Sequence, residues 1–173
     1  MFRDKFKKFQ NIQMHSECVL VSALNALNYL SAGEKIIKPT DKLYIEYVDF
    51  LEVRNKGISV LDNKVRELWV HKLGIYPKWS GFSLFEKRYG KEVGDLRQIP
   101  LPIQTTVIIP PSDNFEGGSH VVLIIDHNVE CDAYQVCNFT EYTTETGWIF
   151  VKDFNNYRPK SSYFIHFDLV DNI

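Results

Sequence analysis

Gln13-Met14-His15-Ser16-Glu17-Cys18-Val19-Leu20-Val21-Ser22-Ala23-Leu24-Asn25-Ala26-Leu27-Asn28-Tyr29-Leu30 is the stretch whose reading decides the fold. At about 100° per residue of helix, Leu20, Ala23, Leu24, Leu27 and Leu30 form one apolar side, while Cys18, Ser22, Asn25 and Tyr29 collect on the other. The cysteine thus turns away from the stripe that would bury it. Ser16 is placed to act as N-cap, which sets Cys18 in the first turn, where unpaired backbone N–H groups and the positive end of the helix dipole favour a thiolate. The spacing predicts a nucleophile at a helix start. The plain alternative is a small buried hydrophobe, the usual role of cysteine.

The chain of 173 residues is 45% hydrophobic and 14% aromatic, enough to bury a sizeable core without a disulfide framework or a structural metal. One domain over 1–173 is expected, with a helical lobe at about 1–98 and a β lobe at about 99–173. The formal net charge of −2 gives no basic field for nucleic acid or an anionic membrane. Arg3, Lys5, Lys7 and Lys8 read as a solvated terminal segment. Three cysteines are an odd count, and Met1-Phe2-Arg3-Asp4 leads into charge rather than an apolar signal region. With no run near the ~20 apolar residues of a membrane helix, a soluble cytoplasmic protein is expected.

Residues 1–12 read as an irregular lead-in with Phe2, Phe6 and Phe9 placed to pack on the body. Ser31-Ala32-Gly33 stops the first long helix. Pro39-Thr40-Asp41 opens a second helical pattern that buries Leu43, Tyr47, Phe50 and Leu51, and Asn55-Lys56-Gly57 breaks it. A third begins near Ser59, buries Leu61, Val65, Leu68, Trp69 and Leu73, and ends at Gly74. Ser83 with Glu86 has the form of a capping box, so 83–89 reads as a short fourth helix.

From Ile99 the character changes to strands: Val107–Ile109, Val121–Ile125, Tyr134–Phe139, Trp148–Val151 and Tyr163–Leu169, with 110–119 as a long surface loop. The last strand alternates, Tyr163, Ile165, Phe167 and Leu169 against Phe164, His166 and Asp168. A helical first half followed by an antiparallel second half is an α+β arrangement.

His120 opens one strand and Asn138 lies in the next, with the polar stretch 126–132 between them. A hairpin centred on Val129 sets the two residues opposite each other, close enough for the Asn138 side-chain oxygen to hold one imidazole nitrogen. The other nitrogen is then left to act on a helix-terminal thiol as its base. The Cys18 backbone N–H is one candidate oxyanion donor, and an upstream amide is the second, Gln13 first and Gln10 in reserve.

These residues resemble the papain-like cysteine peptidases, most of all the compact bacteriocin-processing (leader-cleaving) peptidase domains. The likeness covers Gln13 through the Cys18 helix, Val107-Ile108-Ile109, Gly118-Ser119-His120-Val121-Val122-Leu123-Ile124, Val136-Cys137-Asn138 and the terminal strands. It implies a two-lobed fold, the nucleophile helix packed on an antiparallel sheet and a peptide held between the lobes. Cys18 is the implied nucleophile, His120 the base, Asn138 the orienting residue and Gln13 the oxyanion donor. The bacteriocin-processing group generally carries Asp where this chain has Asn138.

The function expected is hydrolysis of peptide or isopeptide bonds in a peptide or protein substrate, through a thioester and without metal or organic cofactor. Acyl or glutamyl transfer on the same triad is one alternative, and an idle peptide-binding domain is another. Cys131, Cys137, His120 and His127 suggest zinc by residue type, but no close Cys-x2-Cys or His-x3-His pair is present. His15, His71 and His166 read as surface or half-buried residues, and Trp148 and Phe139 as core aromatics. Gly117-Gly118 gives the chain room to bring His120 to the cleft.

Overall fold

Helix α1 (Cys18–Leu30) carries the apolar stripe expected of it, and that stripe decides what it packs on. In the computed structural model, which describes residues 18–35, 41–42, 45–46, 70, 73–77, 96–111, 117–139, 147–158 and 164–172, Leu20, Ala23, Leu24 and Leu27 pack with Val121, Leu123, Ile125, Cys137, Ile165 and Phe167. The helix ends as expected: Ala32 and Gly33 take left-handed φ values of 52° and 81°. The Gly33 N–H returns to the Asn28 carbonyl at 2.9 Å, satisfying one of the carbonyls a helix end leaves open.

The other side of α1 departs from expectation. Ser22, Asn25 and Asn28 are 0% exposed, and their side chains have no hydrogen-bond partner among the described residues. The helix is therefore buried all round from Val19 to Asn28. Orphaned buried groups of this kind each cost about 1–3 kcal/mol, so packing, not polarity, holds this side in place.

The strands are β1 (Ile75–Pro77), β2 (Ile103–Ile109), β3 (Gly118–Asn128), β4 (Ala133–Cys137), β5 (Trp148–Phe150) and β6 (Phe164–Leu169). They form one antiparallel sheet in the order β1-β6-β2-β3-β4-β5. Strand alternation divides the core in two. Val121, Leu123, Ile125, Ile165 and Phe167 face α1, while Ile103, Val107, Val122, Ile124, Val136 and Phe164 face the second layer. The expected alternation of the last strand holds at Phe164, Ile165 and Phe167, although His166 is 7% exposed and so buried.

Three features correct the reading of the chain. Residues 75–77, in the half read as helical, supply the edge strand β1 against β6. The segment read as a strand through Val151 stops at Phe150, and helix α2 (Val151–Tyr157) follows at once. Seven residues are too few for periodicity to announce a helix. Its register is set by packing instead: Phe154 meets the rings of Tyr134 and Phe139 edge-on, with centroids 5.5 and 5.9 Å away. Finally, β4 ends at Cys137 and not at Phe139.

Gly74 ends the third helical pattern with φ +68°, and Lys42, Ile45 and Glu46 are helical where the second pattern opens. The lead-in phenylalanines, Ser16, Gln10, Gln13, the expected buried positions of the second helix, those of the third before Leu73 and the 83–89 helix lie outside the described residues. No helix among the described residues is long and apolar enough to cross a membrane.

Phe154 is fully buried at the centre of the aromatic group. Phe154→Ala should cost about 3–5 kcal/mol, measured as a shift of the urea midpoint at unchanged slope.

Candidate active site

The expected site residues lie on α1, near the start of β3 and just past the end of β4. Cys18 is the first residue of α1 and is half-buried. Its sulfur accepts a hydrogen bond from the main-chain N–H of Val121, the residue after His120. Strand N–H groups lie in the plane of the sheet. The last β3–β4 pair at this end is Leu123 with Cys137, so β4 stops before it reaches Val121.

His120 stands opposite Val107 on β2 and is 4% exposed. Alternation sends its ring toward the second layer while Val121 faces α1. From there Nε2 reaches the main-chain oxygen of Asn138 at 2.6 Å. Asn138 is the first residue past β4. The groups that act on the Cys18 thiol are main-chain N–H groups, and the His120 ring is not one of them.

The partnership of His120 with Asn138 was expected, but its form differs. Leu123 pairs with Cys137 and Ile124 with Val136, and a bulge separates Ile124 from Asp126. The turn is therefore not centred on Val129, and continuing the register sets Asn138 opposite Val122. Asn138 joins His120 because its backbone leaves the strand at φ +64°. The carbonyl takes the bond, and the side-chain amide, expected to be the acceptor, has no partner at either end among the described residues.

The thiol also departs from the helix-start argument. Burial pushes Cys18 above its ordinary value, and the N–H groups of Val121, Val19 and Cys18 itself offset this only in part. Desolvation of the charged form outweighs the donors. Cys18 therefore rests as the neutral thiol at neutral pH and needs a base in order to attack. Cys137, packed against α1, is raised further by complete burial, and Cys131 is exposed on the surface.

Gln104 was not singled out from the sequence. It lies on β2 facing α1, is 0% exposed, and its Nε2 donates to the Val19 carbonyl at 3.3 Å. A strand is thus tied directly to the turn that carries Cys18. The signal was weak, one amide beside two threonines between Ile103 and Val107. Gln104→Glu replaces the donor with a buried carboxylate. A fully buried carboxyl shifts by about 3 pKa units at about 1.4 kcal/mol each, so a loss of about 4 kcal/mol is expected at pH 7. Because that carboxyl would be raised, stability should return as the pH falls toward 4, measured by urea denaturation at both pH values.

Gly117 and Gly118 take φ values of 83° and 125°. A Cβ on Gly117 would lie 2.9 Å from the Pro111 nitrogen, so the approach to His120 needs glycine there. The residues weighed as zinc ligands do not converge. Cys137 lies in the α1-facing core, and His127 Nε2 bonds Asp132 Oδ1 at 2.8 Å. Arg97 holds the other Asp132 oxygen at 2.7 Å. The His127 bond first, and Arg97 second, keep the Asp132 carboxyl below its ordinary range. Among the described residues no group of three His, Cys, Asp or Glu side chains is placed to hold a metal.

A cavity of about 410 Å³ lined by Asn128, Cys131, Trp148, Phe150 and Asp153 lies at the opposite end of the β3–β4 hairpin from His120. No protein-family model matches the chain, and no curated protein matches it.

Proposed function

We propose that this chain is a papain-like thiol hydrolase that cleaves peptide or isopeptide bonds, with Cys18 as nucleophile, His120 as base and Asn138 as the residue that orients the base. What supports the reading is that the Cys18 sulfur bonds the N–H of Val121, the next residue in sequence after His120, whose imidazole is tied to Asn138. An α+β fold with α1 packed on an antiparallel sheet agrees with it.

The chemistry follows from the protonation states. Nε2 of His120 faces a carbonyl, which only accepts, so Nε2 carries the hydrogen and Nδ1 is the basic nitrogen of the neutral ring. The reading requires Nδ1 to come within reach of the thiol, whose proton it takes as the sulfur attacks the substrate carbonyl carbon. The Val121 N–H that already bonds the sulfur favours the developing thiolate. Negative charge moves to the substrate oxygen, where the N–H of Cys18 at the helix start is one donor and the Gln13 amide the expected second. The imidazolium then gives its proton to the leaving amine, and a thioester remains. Water, activated by the same nitrogen, hydrolyses the thioester, releasing a carboxylic acid and the free thiol.

The test is digestion of a peptide mixture, with and without a primary amine such as glycine methyl ester, read by mass spectrometry. New free carboxyl termini that vanish when the protein is pre-treated with a thiol blocker support hydrolysis. New amide-capped termini as the main products would move the assignment to acyl transfer. No new termini above those of the blocked protein would overturn the reading.

A further inference from the structure

Asn138 is held from both sides. Cys137 before it is the last residue paired to β3, and Phe139 after it is 1% exposed, its ring edge-on to Phe154 and Tyr157 with centroids 5.9 and 5.4 Å away. Between these two anchors the backbone passes through φ +64°, a region in which asparagine is enriched among non-glycine residues. The peptide that follows presents its oxygen to His120 Nε2 at 2.6 Å. Meanwhile the Asn138 amide is buried, 2% exposed, and among the described residues neither Oδ1 nor Nδ2 has a hydrogen-bond partner.

We propose that Asn138 positions His120 through its main chain: the left-handed backbone presents the carbonyl that fixes the Nε2–H tautomer, and the side-chain amide does not hold the imidazole. Asparagine is then suited to this site because it tolerates the left-handed conformation, not because its amide is an acceptor. Glycine adopts that conformation without steric cost, so Asn138→Gly keeps the device although it removes the whole amide. Valine, branched at Cβ, opposes it, so Asn138→Val breaks the device. The consequence for catalysis rests on the thiol-hydrolase reading; the tautomer does not.

The experiment is nitrogen-15 NMR of the imidazole rings in the full chain at pH values above the imidazole titration, with the His120 signals assigned by their loss in His120→Gln. The wild type is expected to show His120 protonated at Nε2, with Nδ1 as the bare nitrogen. Asn138→Gly should retain that pattern. Asn138→Val should give a mixed tautomer and at least a 10-fold lower rate.

A wild-type ring protonated at Nδ1 would overturn the proposal without any variant. So would a mixed tautomer in Asn138→Gly at an unchanged melting temperature, since the amide would then be the orienting group. Should Asn138→Val fail to fold, those two readouts still decide the matter. An inactive protein with the Nε2–H tautomer, kept in Asn138→Gly, would sink the hydrolase assignment while leaving this inference standing.

Discussion

Cys18→Ala is expected to lower peptide turnover by at least about 10⁴-fold, the scale on which loss of a nucleophile in a cooperating triad acts, while the protein stays folded. Without the sulfur no thioester forms, and an imidazole with one oxyanion donor has little to work on. The fold should survive because Cys18 sits at the end of α1 and only borders the cluster formed by Leu20, Leu123 and their neighbours. The loss of one half-buried sulfur should cost about 1 kcal/mol, at the low end of large-to-small core changes. Steady-state turnover and a urea melt of the same preparation check both statements. Cys131→Ala, at an exposed position, is the control and should leave turnover unchanged. Turnover that persists in Cys18→Ala would remove the nucleophile from the account.

His120→Ala is expected to lower turnover by about 10³-fold, within the range for a positioned general base, and to change how thiol reactivity depends on pH. If the imidazole takes the proton, as proposed, alkylation of Cys18 in the wild type should rise with pH and level off once His120 is neutral. In the variant only the small thiolate fraction reacts. Burial holds the Cys18 thiol above its ordinary value, so that fraction should grow about tenfold per pH unit through the whole neutral range. The variant also leaves the Asn138 carbonyl without the ring that bonds it, at a cost of about 1–3 kcal/mol. His120→Gln, which can still donate, separates that structural loss from the loss of the base. A wild-type profile with the same unbroken rise would assign no base to His120.

Legibility from the sequence followed the range of each interaction. The α1 stripe and its stop at Ala32-Gly33 were readable because period and capping are local properties of the chain, and both stand in the structure. The alternation of Phe164, Ile165 and Phe167 was readable for the same reason. Helix α2 was not, since its seven residues are fixed by Phe154 among the rings of Tyr134 and Phe139, contacts made across the sequence.

In the site, the linkage of His120 to Asn138 could be anticipated from two strands and a turn, but its register could not. The turn lies between Asn128 and Ala133, beyond a centre at Val129, and the bulge after Ile124 takes back only one residue of that displacement; a single left-handed residue restores the contact through the main chain. Cys18 at a helix start was likewise legible, but its protonation was not. The sequence suggests the N–H donors that favour a thiolate, while the burial that outweighs them arises only when α1 meets β3. Gln104, whose role depends on reaching across to Val19, has no local signature beyond being an amide beside two threonines.

Competition between cysteines under a limiting amount of iodoacetamide tests the central claim most directly. Cys131 is exposed, Cys18 is half-buried, and Cys137 is sealed in the core. Accessibility alone ranks Cys131 first, so only assistance from His120 can put Cys18 ahead of it. Peptide mapping of the native protein at pH 7 should find Cys18 modified first, and in His120→Ala the order should reverse in favour of Cys131. If Cys131 leads in the native wild type, or if removal of His120 leaves the order unchanged, the sulfur and the imidazole do not act together.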